Sequence, residues 1–400
     1  MRTSTKIAAV IAAATAVTAV SVPVASPAGA TPTRDARAVL QRDADAMLRY
    51  GAPGVLAEVD TPHGDIRVRS GYGNVEAGTP VPWDAKFRIA SFTKTFVATT
   101  TLQLVGERKL ALDDTVDKWL PGVVRGNGND GRRITVRQLL QHTSGLPDYL
   151  GGIPELFTEE GFQRLRYQTL TPQRAVALAV SQPSEFQPGT DWNYSNTNYV
   201  LAGLIIEKVT GQPWQHEVQQ RIIKPLHLTH TYTPVTRRTI PAPHATGYER
   251  FPGEGATPDD PKYGEPVDAT ELNPSYGGAA GEMISTTDDT NRFLRALLGG
   301  RLLRPAQLAE MKRTVPATAF QPHWPGVRYG LGLMYTPNDC GGAWSHGGDI
   351  MGFMTRNGVT ADGSRSVVIS INTDSLKPDP GVQLPATDIT IPLINHALCG

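Results

Sequence analysis

The chain has 400 residues, of which 40% are hydrophobic and 19% charged, the composition of an ordinary globular protein that can bury a sizeable core. Its 38 basic and 38 acidic residues cancel and no long basic run occurs, so the sequence does not indicate binding to nucleic acid or to an anionic membrane. The 40 glycines and 32 prolines predict many turns and long structured loops.

The first thirty residues predict an export signal and not a part of the fold. A short basic start precedes an apolar stretch rich in alanine and valine over residues 7–24, and Ala28-Gly29-Ala30 has the small residues that signal peptidase reads. Pro23 and Pro27 argue against the alternative, a membrane-spanning helix. Because no cysteine lies nearby to carry a lipid, we expect cleavage after Ala30 and a secreted protein without a membrane anchor.

Hydrophobic periodicity then predicts a helix over residues 33–50, strands over 54–59 and 66–70, and a buried helix over 93–104. The next region is rich in loops, with helices predicted over 136–141, 172–180, 198–210 and 214–223. Helices follow over 287–298 and 305–312, then strands over 329–335, 343–345, 352–359 and 366–372, and a last helix over 386–398.

Both chain ends thus supply helices and strands, whereas the middle supplies helices. This order predicts an α/β (α+β) fold, in which an antiparallel sheet from both chain ends is flanked by helices and a mostly helical region is inserted. We expect one catalytic domain over residues 31–400. Its sheet region would comprise 31–104 and 276–400, and its helical insertion 105–275.

The chain contains two cysteines, Cys340 and Cys399. The exported context favours a disulfide between them, which would tie the C-terminal helix to a strand region. Two free buried thiols are the alternative.

The tetrapeptide Ser91-Phe92-Thr93-Lys94 stands at the start of the predicted helix 93–104. A serine hydroxyl is a poor nucleophile until a base takes its proton, and a spacing of three residues on a helix brings the lysine amine onto the serine's face. The amides and the dipole at the start of a buried helix also favour developing negative charge. The alternative is a surface helix with Ser91 as its N-cap.

Tyr194-Ser195-Asn196 precedes the predicted helix 198–210. A phenol can shuttle a proton to or from a serine oxygen if a cation holds its pKa down. The amide of Asn196 is suited to orient Lys94 or a substrate carbonyl. The alternative is a helix cap beside a packed tyrosine.

His346-Gly347-Gly348 lies between predicted strands near the C-terminus. Glycines at a strand edge let a substrate backbone approach closely, and the next amide, that of Asp349, could donate to an oxyanion. A tight hairpin with an exposed histidine is the alternative. The chain has no Gly-x-Ser-x-Gly motif and no zinc signature, so we predict neither a lipase-type elbow nor a metal or other cofactor.

In this order and spacing, the three motifs resemble one family, the penicillin-recognising serine hydrolases. It includes class C β-lactamases, secreted Streptomyces-type D-alanyl-D-alanine carboxypeptidases, and related esterases and D-aminopeptidases. The segments 138–146 and 281–286 and the Cys340/Cys399 pair extend the resemblance over nearly all of the mature chain, the last two toward the carboxypeptidase branch. The resemblance implies the β-lactamase/transpeptidase-like fold.

The resemblance also implies a role for each motif residue. Ser91 is the acylated nucleophile, Lys94 its proton partner and Tyr194 the general acid/base. Asn196 positions the substrate and the lysine, and the backbone amides of Ser91 and Asp349 form the oxyanion hole. Substrate binding on the strand side falls to His346, Gly347, Gly348 and Asp349. A small peptide or ester is the expected substrate, and β-lactams are candidate acylating inhibitors.

Three departures from the family pattern concern the recognition of a substrate carboxylate. Gly347 stands where the family has a threonine, Met334 stands where the carboxypeptidases have an arginine, and Asp349 adds a negative side chain. We expect this unpaired charge to oppose binding of a free carboxylate. Arg356, on the next predicted strand, could compensate.

The whole-chain resemblance places a D-alanyl-D-alanine carboxypeptidase acting on peptidoglycan-type peptides first among the expected functions. An esterase or a D-amino-acid amidase or aminopeptidase follows closely. A non-catalytic muropeptide or penicillin-binding sensor is the alternative from another class. A sensor would need none of Ser91, Lys94 and Tyr194, so their joint presence favours an enzyme.

Overall fold

The computed structural model of the protein describes residues 34–257 and 260–400. The predicted export signal over residues 1–30 lies outside this part of the chain. Among the described residues, no helix combines the length and the apolar character needed to cross a lipid bilayer.

Both chain ends build one antiparallel sheet, which confirms the predicted fold class. The strands are β1 (Gly54–Thr61), β2 (Gly64–Asn74), β3 (Thr79–Pro80), β4 (Phe87–Arg88), β5 (Arg125–Gly126), β6 (Asn129–Asp130), β7 (Tyr248–Glu249), β8 (Val267–Asp268), β9 (Ile284–Ser285), β10 (Val315–Pro316), β11 (Arg328–Tyr329), β12 (Met334–Thr336), β13 (Ala343–Ser345), β14 (Gly348–Ile350), β15 (Phe353–Val359) and β16 (Ser366–Ile371). The order in the sheet is β10-β11-β12-β13-β15-β16-β1-β2-β3, and β14 pairs with β15. The chain ends meet where β1 pairs with β16, with Val55 opposite Ile371.

The helices cover both faces of this sheet and form the region between its two halves. They are α1 (Arg34–Leu48), α2 (Thr93–Gly106), α3 (Val116–Trp119), α4 (Val136–Gln141), α5 (Glu159–Leu165), α6 (Pro172–Val180), α7 (Asn196–Thr210), α8 (Trp214–Val218), α9 (Thr287–Leu298), α10 (Pro305–Met311) and α11 (Ile391–Cys399). Helix α8 continues as a π-helical turn over Gln219–Ile223. A disulfide between Cys340 and Cys399 ties the loop before β13 to the end of α11.

The side chains of β1 alternate between two packed layers. Val55, Ala57 and Val59 join one apolar cluster with residues of α1 and α11. On the opposite face, the carboxylate of Glu58 accepts a hydrogen bond from the hydroxyl of Thr287 in α9. Because both faces are covered, every residue from Gly54 to Val59 is buried, and the strand reads as a continuous apolar run with one exception, Glu58.

Helix α2 lies between the sheet and the helical region, and it is buried on all sides. Every residue from Thr93 to Leu102 is buried, although six of these ten are threonines or valines, which have modest helix propensity. The hydroxyls of Thr99 and Thr101 donate to the carbonyls four residues earlier, so they bring no unpaired donor into the core. Tertiary packing therefore decides the conformation of this segment, and it holds Lys94 in the interior.

Two predicted elements were clearly wrong in extent, and one strand was not predicted. Residues 329–335 form two strands and not one, because Gly332 between them has a φ of +73° and a Cβ there would lie 2.5 Å from the Cβ of Ala98. The last helix begins at Ile391 and not at residue 386, since residues before it form a turn around Asp388. Strand β14 was not predicted, and it folds back onto β15 through a turn at Gly352, whose φ is +85°.

Candidate active site

Ser91 and Lys94 lie at the start of α2, as the motif predicts. Ser91 is in a 3₁₀ turn over Ala90–Phe92 that leads directly into α2, and Lys94 is in the first turn of the helix. The Nζ of Lys94 lies 2.9 Å from the Oγ of Ser91. Ser91 is partly exposed at the surface of a cavity, whereas Lys94 is completely buried.

The surroundings of Lys94 fit a neutral amine. Its Nζ donates to the Oδ1 of Asn196 at 2.7 Å and to the carbonyl of Ala280 at 2.8 Å. Burial lowers the pKa of Lys94 to about 7, and the more distant charges of Asp148 and Asp349 act in the opposite direction. A neutral amine has two N–H groups, which match these two acceptors, so its lone pair is left for the Ser91 hydroxyl. Lys94 can therefore serve as the base that takes the serine proton.

Tyr194 lies on the other side of the same hydroxyl. Its phenol is hydrogen-bonded to Ser91, and the Nζ of Lys94 lies 4.7 Å from the centre of its ring. The sequence analysis made proton transfer by Tyr194 conditional on a cation that lowers its pKa, but burial raises that pKa well above its usual value. Tyr194 therefore stays a neutral phenol, which can pass a proton but does not carry a charge at rest.

Asn196 is oriented by a residue that the sequence did not reveal. One carboxylate oxygen of Asp148 accepts from both the backbone amide and the side-chain Nδ2 of Asn196, each at 2.8 Å. Asp148 thereby fixes the amide so that Oδ1, and not Nδ2, faces Lys94. Its position just after the 138–146 segment was the available signal, but a single loop aspartate is too common to single out.

His142 holds the segment that carries Tyr194. Its Nδ1 accepts from the backbone amide of Ser195 at 3.2 Å and faces the Nδ2 of Asn198 at 3.0 Å. The imidazole lies 4.3 Å from the ring of Tyr194, measured between centres. Burial lowers the pKa of His142 well below its usual value, so the ring stays neutral. The histidine belongs to the 138–146 segment, but its sequence did not disclose this supporting contact.

His346 enters the site from the C-terminal side of β13. The donor at its Nδ1 faces the carbonyl of Gly347 at 2.7 Å, which leaves Nε2 to accept from the hydroxyl of Tyr329 at 2.8 Å. Burial, with Lys94 acting in the same direction, lowers the pKa of His346 to about 3. His346 is thus a neutral, fixed group, and Tyr329 is a second supporting residue that the sequence did not reveal.

Gly348 brings β14 close to the nucleophile. A Cβ at this position would lie 2.2 Å from the carbonyl of Ile89 and 2.9 Å from the backbone nitrogen of Ser91. Only glycine allows this approach, which sets the backbone before Asp349 against the turn that carries Ser91. The site therefore combines an activated serine with two backbone segments that the proposed oxyanion hole requires.

Comparisons with known proteins agree with this geometry. The model of the family described as Beta-lactamase matches residues 36–389. The chain belongs to the β-lactamase family. Its fold is that of a serine hydrolase of this family.

Solved structures and a curated relative extend the comparison. A D-stereospecific amidohydrolase from Streptomyces sp. is 42% identical, with a TM-score of 0.80, and the match covers 91% of this chain and 98% of that one. A D-amino acid amidase from Ochrobactrum anthropi, complexed with D-phenylalanine, is 29% identical, with a TM-score of 0.74 and coverage of 90% and 98%. The esterase EstB of Burkholderia gladioli is 36% identical over 182 residues, which are 44% of this chain and 45% of that protein.

In this β-lactamase-family chain, Asp349 and Met334, two of the three departures from the sequence pattern, contact other residues of the chain. Asp349 is not an unpaired charge, as the sequence analysis expected, because its carboxylate pairs with Nη1 of Arg356 at 2.7 Å. Arg356 also donates from Nε to Asp388 at 2.7 Å, so it does not offer a free guanidinium. Met334 is buried against Tyr329 in an apolar cluster.

A cavity of about 310 Å³ opens beside Ser91. Its walls are mainly aromatic and aliphatic, and they include Tyr149, Phe157, Phe162, Phe251, Leu272 and Met351. The carboxyl groups of Glu249, Asp349 and Asp374 also line it. Burial raises the pKa of Glu249 to about 7 and raises that of Asp374 well above its usual value. The cavity can therefore accept a bulky apolar group next to the nucleophile.

Proposed function

We propose that the protein hydrolyses amides or esters of D-configured amino acids through an acyl-enzyme on Ser91, with leaving groups that carry no free carboxylate. The observation that carries the proposal is the buried Lys94, whose Nζ lies 2.9 Å from the Ser91 hydroxyl while two other acceptors take its N–H groups. Such a lysine activates a serine without any further base.

In the proposed reaction, Ser91 Oγ attacks the carbonyl carbon while its proton passes to the neutral Lys94. The amides of Ser91 and Asp349 donate to the oxygen that becomes negative, and each such donor contributes about 3 kcal/mol in the transition state. Tyr194 gives its proton to the leaving amine or alkoxide as the carbonyl–heteroatom bond breaks, and it regains one from Lys94. Water then attacks the ester on Ser91 by the reverse proton path and releases the acid.

The choice of substrate rests on similarity and on charge. The D-stereospecific amidohydrolase is 42% identical, and the match covers 91% of this chain and 98% of that one. Arg356 is engaged by two carboxylates and Met334 is buried, which leaves neither to hold a substrate carboxylate. These observations move a D-amino-acid amidase or esterase ahead of the D-alanyl-D-alanine carboxypeptidase expected from sequence. We also retain the proposal that residues 1–30 direct export.

The test is intact-protein mass spectrometry after incubation with p-nitrophenyl butyrate, D-phenylalanine p-nitroanilide and benzylpenicillin. We expect an acyl adduct on Ser91 from the ester, steady release of nitroaniline from the D-anilide, and much slower release from its L-isomer. S91A should give no adduct, whereas S181A, which removes an exposed hydroxyl, should behave as the wild type. Absence of an adduct from all three compounds would favour a non-catalytic sensor.

A further inference from the structure

We propose that Arg356 and its two aspartates, Asp349 and Asp388, determine leaving-group specificity by excluding substrates with a free carboxylate. This inference rests on the proposed function and assigns the exclusion to a specific ion cluster beside the catalytic centre. The three side chains together carry one positive and two negative charges. A carboxylate that approaches them therefore meets a net negative charge.

The guanidinium is bound too completely to recognise a second carboxylate. Its Nε donates to Asp388 at 2.7 Å, and its Nη1 donates to Asp349 at 2.7 Å and to the carbonyl of Thr355 at 3.0 Å. These bonds use three of the five N–H groups, that of Nε and both of Nη1, so only the two on Nη2 remain and each edge of the guanidinium has lost a donor. The bidentate contact that arginine makes with a carboxylate needs two adjacent free donors.

Burial strengthens this arrangement. The side chains of Arg356 and Asp388 are 8% and 7% exposed, whereas that of Asp349 is 46% exposed. Burial alone would lower the pKa of Arg356, but the two aspartates outweigh it and the pKa rises above its usual value. The guanidinium therefore stays charged, and its charge is neutralised by ion pairs with Asp349 and Asp388.

Gly347 explains how the cluster reaches the strand next to Ser91. A Cβ at position 347 would lie 3.2 Å from Nη1 and 3.5 Å from Cδ of Arg356. A larger side chain here would displace the guanidinium, so Gly347 and Arg356 share one space. Gly348, the next residue along the chain, lies against the turn that carries Ser91.

A second cavity, of about 260 Å³, borders this cluster on the side of Arg356. Gly347 and Arg356 line it together with Trp324, Met334, Thr387 and Asn395. The centre of the Trp324 ring lies 5.4 Å from the guanidinium carbon. Asp349 lines the cavity beside Ser91, so a leaving group bound next to the nucleophile meets the negative cluster there.

The experiment compares two substrates that share one scissile bond, an N-acyl-D-Ala-D-Ala peptide and its C-terminal amide. The wild type should cleave the amide at least tenfold better in kcat/KM. D388N removes one negative charge from the cluster, so it should raise kcat/KM for the acid at least fivefold and leave that for the amide within twofold. D379N is the matched control, since Asp379 lies in the same C-terminal segment but is exposed, and it should leave the ratio unchanged.

Thermal denaturation checks that D388N is folded. If it is not, D349N removes the other negative charge of the cluster. The ratio of kcat/KM for the acid to kcat/KM for the amide should again rise. A wild type that cleaves the acid as well as the amide, or a folded variant with an unchanged ratio, overturns the inference. Failure of every substrate and of the activated ester to acylate Ser91 would instead overturn the proposed function.

Discussion

Lys94 and Arg356 are two buried cations near the catalytic centre, and their surroundings drive their pKa values in opposite directions. The hydrogen-bond partners of Lys94 are neutral oxygens, so burial dominates and lowers its pKa to about 7. Arg356 has two carboxylates at 2.7 Å, and these outweigh burial and raise its pKa. The same physical cost of burying a charge thus makes one cation a base and fixes the other as a permanent ion.

The opposite pKa shifts of the two residues assign them different roles: Lys94 acts in the reaction, and Arg356 acts in substrate selection. The reactivity of Ser91 depends on a proton that Lys94 can release near neutral pH. The exclusion of carboxylates is proposed to depend on a charge that Arg356 never loses. Changes at the two cations should therefore have different signatures, the first in the rate for every substrate and the second in the ratio between substrates.

The largest loss of activity is expected when Lys94 is replaced by a cation that, like Arg356, stays charged. K94R places a group that stays protonated beside Ser91, so it removes the base but keeps a positive charge. We expect kcat/KM for amides and esters to fall on the order of 10⁴-fold. The measurement is steady-state hydrolysis of p-nitrophenyl butyrate, with K118R, at an exposed lysine, as the control. A loss of less than tenfold would show that Lys94 is not the base.

The pH dependence of the wild type tests the neutral form of Lys94 directly. Because its pKa is lowered to about 7, kcat/KM should rise about 50-fold from pH 5 to pH 7 and then level off. His346 should add no inflection in this range, since its pKa is lowered to about 3. A rate that is flat from pH 5 to pH 8, measured with a substrate that does not titrate, would contradict this assignment.

The parts of the fold and site that sequence predicted are those that local patterns determine. Helices α4, α6 and α9 have the predicted bounds, and each begins after a threonine whose side chain accepts from a backbone amide. The pairing of Ser91 with Lys94 likewise follows from their spacing on one helix. Where a turn depended on tertiary packing, as at Gly332, the predicted strand was too long.

The supporting residues could not be predicted because their contacts join distant segments. Asp148 contacts Asn196 across 48 positions, and Asp388 contacts Arg356 across 32. The direction of the pKa shift of Tyr194 was also inaccessible, since it depends on how deeply the phenol is buried and not on its neighbours in sequence. Such residues set the protonation states that give the motif its chemistry.

D148N should lower activity by an intermediate amount, because Asp148 acts on Lys94 through Asn196. The new amide would present N–H groups toward the two donors of Asn196, so the Asn196 amide should turn and withdraw Oδ1 from Lys94. We expect kcat/KM to fall on the order of 10²-fold because the base is misplaced. The acidic limb of the pH profile should move to lower pH, since the charge of Asp148 raises the pKa of Lys94. D113N, at an aspartate 87% exposed, is the control, and a profile that does not move would contradict this role.

The smallest effect is expected at Tyr329, which supports the strand side of the site. Y329F removes the hydroxyl that donates to Nε2 of His346 and leaves a buried acceptor unpaired, which should lower the free energy of unfolding by about 1–3 kcal/mol. We expect kcat to fall several-fold with little change in KM, because His346 loses its fixed orientation but no contact to Lys94 is broken. Y335F, whose hydroxyl makes a weak contact at 3.4 Å, should change neither quantity. If Y329F loses stability but keeps kcat, the hydrogen bond serves the fold alone, and the neutral His346 needs no partner for catalysis.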